Sequence, residues 1–179
     1  MNSGIGDINS QDKGSGARLN EGKPNWSLMP IQQVCWLMNC NAVMEWDENT
    51  TITLNDLVDK VAWLQMEGTH QSAYDLLKWS MAYLVDRHAG YVRLSFEEVI
   101  RVWEHGESKY AAFNWMKGMP WSAVLACYMR HIMWLHEGEH YDQESGRHHG
   151  AHLVCNAMML CHFVDHFTDG NDLPVKWFL

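Results

Sequence analysis

The order of apolar and polar positions divides the chain into a polar start and a series of helical runs. Residues 1–17, MNSGIGDINSQDKGSGA, offer almost nothing to bury and predict a flexible N-terminal arm. The next stretch, RLNEGKPNWSLMP, is irregular, is stiffened by two prolines, and carries Arg18, Lys23 and Trp26. From Ile31 onward apolar residues recur at helical spacing. This predicts a helix from Ile31 to about Trp46, then a connector, ENTTITLND, with a short extended piece at Thr51–Thr53. Thr53 with Asp56 reads as the cap of a helix running to Gly68. Ser72 with Asp75 repeats the device for a helix that stops at Gly90. Ser95 with Glu98 opens a helix through Trp103 to about Tyr110. Pro120 suits the first turn of a helix reaching about Glu137, and a last long helix spans about His148 to Phe167, before Gly170 and Pro174. No convincing pair of alternating strands and no internal repeat interrupts this pattern. The prediction is an all-α fold: a bundle of about six helices with an irregular N-terminal arm, residues 18–179 forming a single α-helical domain.

Composition narrows the function. With 47% hydrophobic and 12% aromatic residues the chain has enough apolar surface for a core, and its length of 179 residues would make two full domains cramped. The formal net charge of -9 disfavours nucleic acid and anionic membranes as principal partners. No apolar run approaches the roughly 20 residues of a membrane span, and the N-terminus lacks the basic-then-apolar order of a signal peptide. Cys35, Cys40, Cys127, Cys155 and Cys161 are odd in number, form no C-x-x-C pair and sit in apolar segments. They read as reduced, buried thiols of a cytoplasmic protein, which leaves the sequon at Asn49 without meaning.

The chemistry concentrates in RHIMWLHEGEHYDQESGRHHGAH, residues 130–152, with six histidines and four acidic residues. On the last helix, His149, His152 and Asn156 border the apolar face. On the helix before it, His131 flanks the stripe that contains Tyr128 and Leu135. Two antiparallel neighbours would bring these imidazoles to one interior region, with Glu139, Asp142 and Glu144 on the joining loop. A solvated acidic loop beside satisfied boundary histidines is the plain alternative. His136, His140 and His148 read as surface residues. Carboxylates suit Mg²⁺ or Mn²⁺, imidazoles suit Zn²⁺, Mn²⁺ or Fe²⁺, and without HExxH or a Cys/His set a structural zinc site has little support. Glu104 with Glu107, and Glu139 with Asp142, have the i, i+3 spacing that lets carboxylates share a helix face, although Gly138 makes helix doubtful for the second pair. In GESKYAAFNWMKGMP, Lys109 and Lys117 bracket Asn114 and Trp115. These are two point charges, an amide and an indole, equally readable as a turn over a buried tryptophan.

Four segments in order, ARLNEGKPNWSLMP, GESKYAAFNWMKG, the histidine-rich stretch and VCNAMML, resemble a family of small, mostly phage-encoded proteins that includes dATP/dGTP diphosphohydrolases. The acidic pairs resemble the metal-binding pattern of the all-α MazG-type nucleotide pyrophosphohydrolases, though the family pattern requires no acid at Glu107. The resemblance covers roughly residues 16–30 and 99–160. Residues 31–95 match nothing in it and read as an insertion that caps the site or faces a partner.

The resemblance implies hydrolysis of a purine deoxynucleoside triphosphate to monophosphate and pyrophosphate, in the host cytoplasm if the gene is a phage's. In that reading Glu139 and Asp142, with His131 or His152, hold Mg²⁺ or Mn²⁺, and Glu144 or His149 accepts the proton of the attacking water. Arg130, Lys109 and Lys117, helped by Arg18 and Lys23, neutralise the triphosphate, while Asn114 and Trp115 contact base or sugar. Apolar residues in the middle segment predict a homo-oligomer. Two other classes stay open. One is a His/Asp metal phosphohydrolase with a different phosphorus product, although no HD dipeptide occurs; the other is a nucleotide-binding or host-interaction protein without turnover.

Overall fold

A helix that is apolar on every side has no solvent face and must lie at the centre of a bundle. Two segments of this chain approach that limit, although the first also carries His70, Asp75, Lys78 and Arg87. The computed structural model describes residues 22–40, 43, 49 and 51–174. The arm expected at 1–17, and Arg18, lie outside the described residues. Six α-helices are described: α1 (Ile31–Met38), α2 (Leu54–Glu67), α3 (His70–Arg87), α4 (Val92–Tyr110), α5 (Trp121–His136) and α6 (His149–His166). Single 3₁₀ turns stand at Trp26–Leu28, Asn114–Lys117 and Thr168–Gly170. The fold is all-α, and an isolated antiparallel bridge between Tyr141 and His148 is the sole β-type pairing among the described residues. No helix of the described residues is long and apolar enough to cross a membrane.

Helices α3 and α6 each bury twelve of eighteen residues and pack on each other. Around α6 stand α5 and α4, and α2 lies on α3. Gly150 lets α6 approach α3 closely: a Cβ there would sit 3.1 Å from Leu84 Cδ1. Polar groups on α3 are satisfied by its neighbours: Tyr74 Oη donates to Asp165 Oδ2 of α6 (2.8 Å), and Ser80 Oγ lies 2.7 Å from Tyr128 Oη of α5 and donates to the Leu76 carbonyl. Residues 31–95 therefore include the helix at the centre of the core, which is a structural role and not that of a cap.

Local signals set most boundaries. At α2, Thr53 and Asp56 form a reciprocal capping box, and Gly68 closes the helix at φ 59°. At α3 the cap is Thr69, three residues before the expected Ser72, which instead returns a bond to the Thr69 backbone. Asp75 is used by Lys60 and Lys78, at 3.0 and 2.8 Å. Helix α4 likewise starts at Val92, before Ser95. Ser95 is inside the helix beside His88 Nδ1 (2.8 Å), and Glu98 reaches the distant Arg147 and His148 instead of capping. The helix expected to reach Trp46 ends at Met38, and most of 41–50 lies outside the described residues. Cys155 and Cys161 are buried as expected, but Cys35 is exposed on α1.

Candidate active site

The α5–α6 hairpin builds the site. Its loop, 137–148, is an irregular turn and not a helix. Gly138 and Gly146 take positive φ (87° and 67°), the Asp142 amide donates to the Arg147 carbonyl (2.8 Å), and the His149 amide donates to the His140 carbonyl (2.9 Å). Glu98 on α4 braces the loop from outside by accepting from Arg147 Nη1 and from the His148 amide, both at 3.4 Å. As a result Glu139 and Asp142 share no helical face. Glu139 turns toward His149 (Oε1 to Nε2, 3.7 Å), while Asp142 turns toward His152 (Oδ2 to Nε2, 3.7 Å).

A cavity of about 560 Å³ opens between α4, the Asn114–Lys117 turn, α5 and α6. That is inside the range of roughly 300–1,000 Å³ common for small-molecule sites. The residues at its polar end include Arg130, His131, Asp142, Glu144, His152 and Lys109, and its apolar end includes Val102, Trp103, Trp115, Cys155 and Met159. The turn is pulled back over the cavity by unusual backbone: Ala111 and Phe113 hold φ of 75° and 56°, which is costly for residues with a side chain. Tight packing retains it. Trp115 is sandwiched at 5.1 Å from both Trp103 and His162, and a Cβ on Gly118 would come within 2.6 Å of the Phe167 ring.

The imidazoles form a stack. His131 lies 4.4 Å from His152, centroid to centroid, and its Nδ1 is 2.8 Å from His149 Nδ1. Trp134 stacks on His149. Burial, reinforced by the neighbouring imidazoles, pushes His131 down to about 3. Burial likewise brings His152 to about 4, against the pull of Asp142, and lowers His149. All three are therefore neutral at pH 7 and present lone pairs. Burial of Asp142 works to raise its pKa, but the hydrogen bonds from Ser145 lead the effects that outweigh it, so the carboxylate stays ionised. Ser145 ties the two groups together: its amide donates to Asp142 Oδ2 (2.8 Å), and its Oγ lies 2.8 Å from His152 Nε2.

The structure brings together His131, His152, Asp142, Glu144, Arg130, Lys109, Asn114 and Trp115 around this cavity. Four expected site residues stand apart from it. Glu139 and His149 lie behind His131 and do not line the cavity, and Lys117 is occupied with Asn114 (Nζ to Oδ1, 3.1 Å). Lys23 is exposed, in the segment tied to α4 where Arg101 holds the Gly22 carbonyl and Glu104 holds the Asn25 amide; it does not line the cavity. That segment consumes Glu104, whereas Glu107 faces the cavity. His148, expected at the surface, is buried beside His88, while His136 and His140 are exposed. Ser145 and His105 are contributors that periodicity does not single out, while Asn156, which periodicity places beside His149 and His152, also lines the cavity. His105 Nε2 and Trp103 Nε1 are buried without a hydrogen-bond partner in the wall. Lys109 Nζ meets Glu144 at 2.6 Å, whereas Arg130 is exposed and forms no hydrogen bond or ion pair among the described residues.

A profile of the family described as "dATP/dGTP diphosphohydrolase, N-terminal" matches residues 67–172, more than half of the chain. The chain belongs to this family. The match takes in α3 to α6 and every wall of the cavity, and it includes residues 67–95, so this part of the supposed insertion is family-typical. A "dATP/dGTP diphosphohydrolase" of Salmonella phage PMBT28 is 38% identical over 64 residues, covering 36% of this chain and 22% of the relative. The aligned part thus spans about a fifth of that protein. No solved structure matches the chain.

A divalent cation has to be tested against the donors present. Among the described residues no group of three His, Cys, Asp or Glu side chains is placed to hold a metal ion. The donor chemistry nevertheless fits one. An ionised Asp142 and the neutral His131 and His152 share a cavity wall, with Glu107 and Glu144 at the same cavity.

Proposed function

We propose that this protein hydrolyses purine deoxynucleoside triphosphates, dATP or dGTP, to the monophosphate and pyrophosphate with the help of Mg²⁺ or Mn²⁺. One observation carries the reading: an unpartnered Arg130 opens onto the same cavity as an ionised Asp142 and two neutral imidazoles. An acidic chain of net charge -9 gains from such a cluster only if an anion is to be held there.

Asp142, His131 and His152 would hold the cation. When bound, it neutralises phosphate charge and makes a nearby water more acidic. Arg130 binds the phosphate chain as a fork of donors, and Lys109 joins it when phosphate displaces Glu144 from the ion pair. Glu144, released from Lys109, accepts the proton of the water that attacks the α-phosphorus. The bond from that phosphorus to the bridging oxygen breaks, and pyrophosphate leaves. Asn114 and Trp115 bound the base and sugar, and the apolar end excludes water from them. Ser145 keeps Asp142 and His152 in register. Exposed Ile31, Met38 and Met66 supply a surface for self-association into a homo-oligomer. As a phage enzyme it would act in the host cytoplasm.

Among the described residues no three-donor set is preassembled, which favours one other reading, a nucleotide-binding module without turnover. Chromatography of products from a panel of NTPs and dNTPs, with and without chelator, separates the two. Purine monophosphate with pyrophosphate, lost on chelation, is expected. Nucleotide retained but unchanged would establish the binding module, and triphosphate or orthophosphate as product would refute the proposed cleavage.

A further inference from the structure

Behind the cavity wall, Glu139, His149 and His131 stand in file. Glu139 Oε1 is 3.7 Å from His149 Nε2, and His149 Nδ1 is 2.8 Å from His131 Nδ1. His149 Nε2 is buried and has no hydrogen-bond partner. Of the three, His131 alone lines the cavity.

Two neutral imidazoles that meet Nδ1 to Nδ1 need one donor and one acceptor, so two arrangements exist. If His149 were the donor, its Nε2 would be a bare lone pair, buried and facing a carboxylate. Lone pair and anion repel, and no donor satisfies the nitrogen. If His131 is the donor, His149 carries its second proton on Nε2, pointed at Glu139. The carboxylate then attracts that N–H. Electrostatics selects the second arrangement.

We infer that Glu139 and His149 form a tautomer relay, which fixes the His131 proton on Nδ1 and so leaves Nε2 unprotonated on a residue that lines the cavity. Glu139 and His149 are then positioning residues. They act through His131 and touch neither substrate nor cation. The tautomers stand on geometry alone, and what the His131 lone pair serves rests on the nucleotide-hydrolysis reading above. A carboxylate orienting an imidazole from behind is a recurring way to fix which ring nitrogen is free.

Long-range ¹H–¹⁵N correlation spectra of the ligand-free full chain, labelled with ¹⁵N-histidine, read the tautomers directly. The expected result is protonated Nδ1 with bare Nε2 on His131, and protonated Nε2 on His149. The opposite pair in the wild-type protein overturns the relay. Glu139→Gln keeps an acceptor and should retain the wild-type tautomers. Glu139→Leu removes it and should turn both histidines into mixtures, so that the bare Nε2 of His131 is no longer the dominant form. A folded Glu139→Leu with wild-type tautomers, or a folded Glu139→Gln that has lost them, removes Glu139 from the relay. None of these spectra depends on turnover. Failure of the relay leaves the product assay untouched, and absence of hydrolysis leaves the tautomers as measured.

Discussion

Helix α6 has two unlike neighbours. It packs on α3 through a dry, largely apolar seam, crossed by the bond that Tyr74 Oη donates to Asp165 Oδ2 (2.8 Å). Toward the N-terminal part of its contact with α5 it buries His149 and leaves Nε2 unpartnered, beside His131 and His152. The first interface yields stability. The second costs stability, because buried imidazoles are refused their protons and one nitrogen lacks a partner. A fold keeps so costly a junction where it does chemistry, and the cavity opens there.

The largest expected effect belongs to the dry side. Phe163 is fully buried near the end of α6, and Phe163→Ala should lower the unfolding free energy by about 3–5 kcal/mol in urea titrations. A loss below about 1 kcal/mol would show that α6 is not the core helix. The next effect belongs to the wet side. Asp142→Asn should cut turnover by about 100-fold or more, the scale of removing one preorganised charge, while leaving the unfolding midpoint near that of the wild type. Full activity in Asp142→Asn would break the assignment.

The two interfaces also differ in how readily the chain announces them. Apolar periodicity is local, so α2, α5 and α6 follow from their own residues, and Thr53 and Gly68 mark both ends of α2. Two helices begin before the cap their sequence suggests. Thr69 outranks Ser72 because Gly68 ends α2 immediately before it, and Ser95 is drawn inside α4 beside His88. The histidines of the site were legible because 100° per residue places His131, His149 and His152 at the border of apolar stripes. The directions of Glu139 and Asp142 were not, because they depend on Gly138, Gly146 and the Glu98 brace, which is some forty residues away in sequence. For the same reason Glu107, and not Glu104, faces the cavity: the Gly22–Asn25 segment claims Arg101 and Glu104, and that contact is invisible locally.

A third effect follows from the refused protons. His131, His152 and His148 have folded pKa values of about 3, about 4 and about 4, each lowered first by burial, against 6.5 in the unfolded chain. The unfolded chain therefore binds protons first as pH falls below 6.5. Stability is intact above that pH, declines between 6.5 and about 4, and stops responding to these groups below their folded values. Each such imidazole contributes a slope of about 1.4 kcal/mol per pH unit in that window. Urea unfolding at pH 7, 6 and 5 checks this, and equal stability at all three would contradict three buried neutral imidazoles. The smallest effect is at the rim. Arg130 is exposed, so Arg130→Ala should change stability by less than about 0.5 kcal/mol. Nucleotide affinity should weaken by roughly tenfold, the scale of a charge-assisted hydrogen bond. Unaltered affinity in a calorimetric titration would place the phosphates elsewhere.

The central claim, that the wet junction of α5 and α6 gathers cation and nucleotide, is tested most directly by Mn²⁺ as a paramagnetic probe. Ring signals of all histidines are followed while Mn²⁺ is added in substoichiometric amounts with dATP or dGTP. Broadening that strikes His131 and His152 first, and spares the distant His70, is the predicted result. Broadening that is uniform, or centred on a different histidine group, contradicts the account.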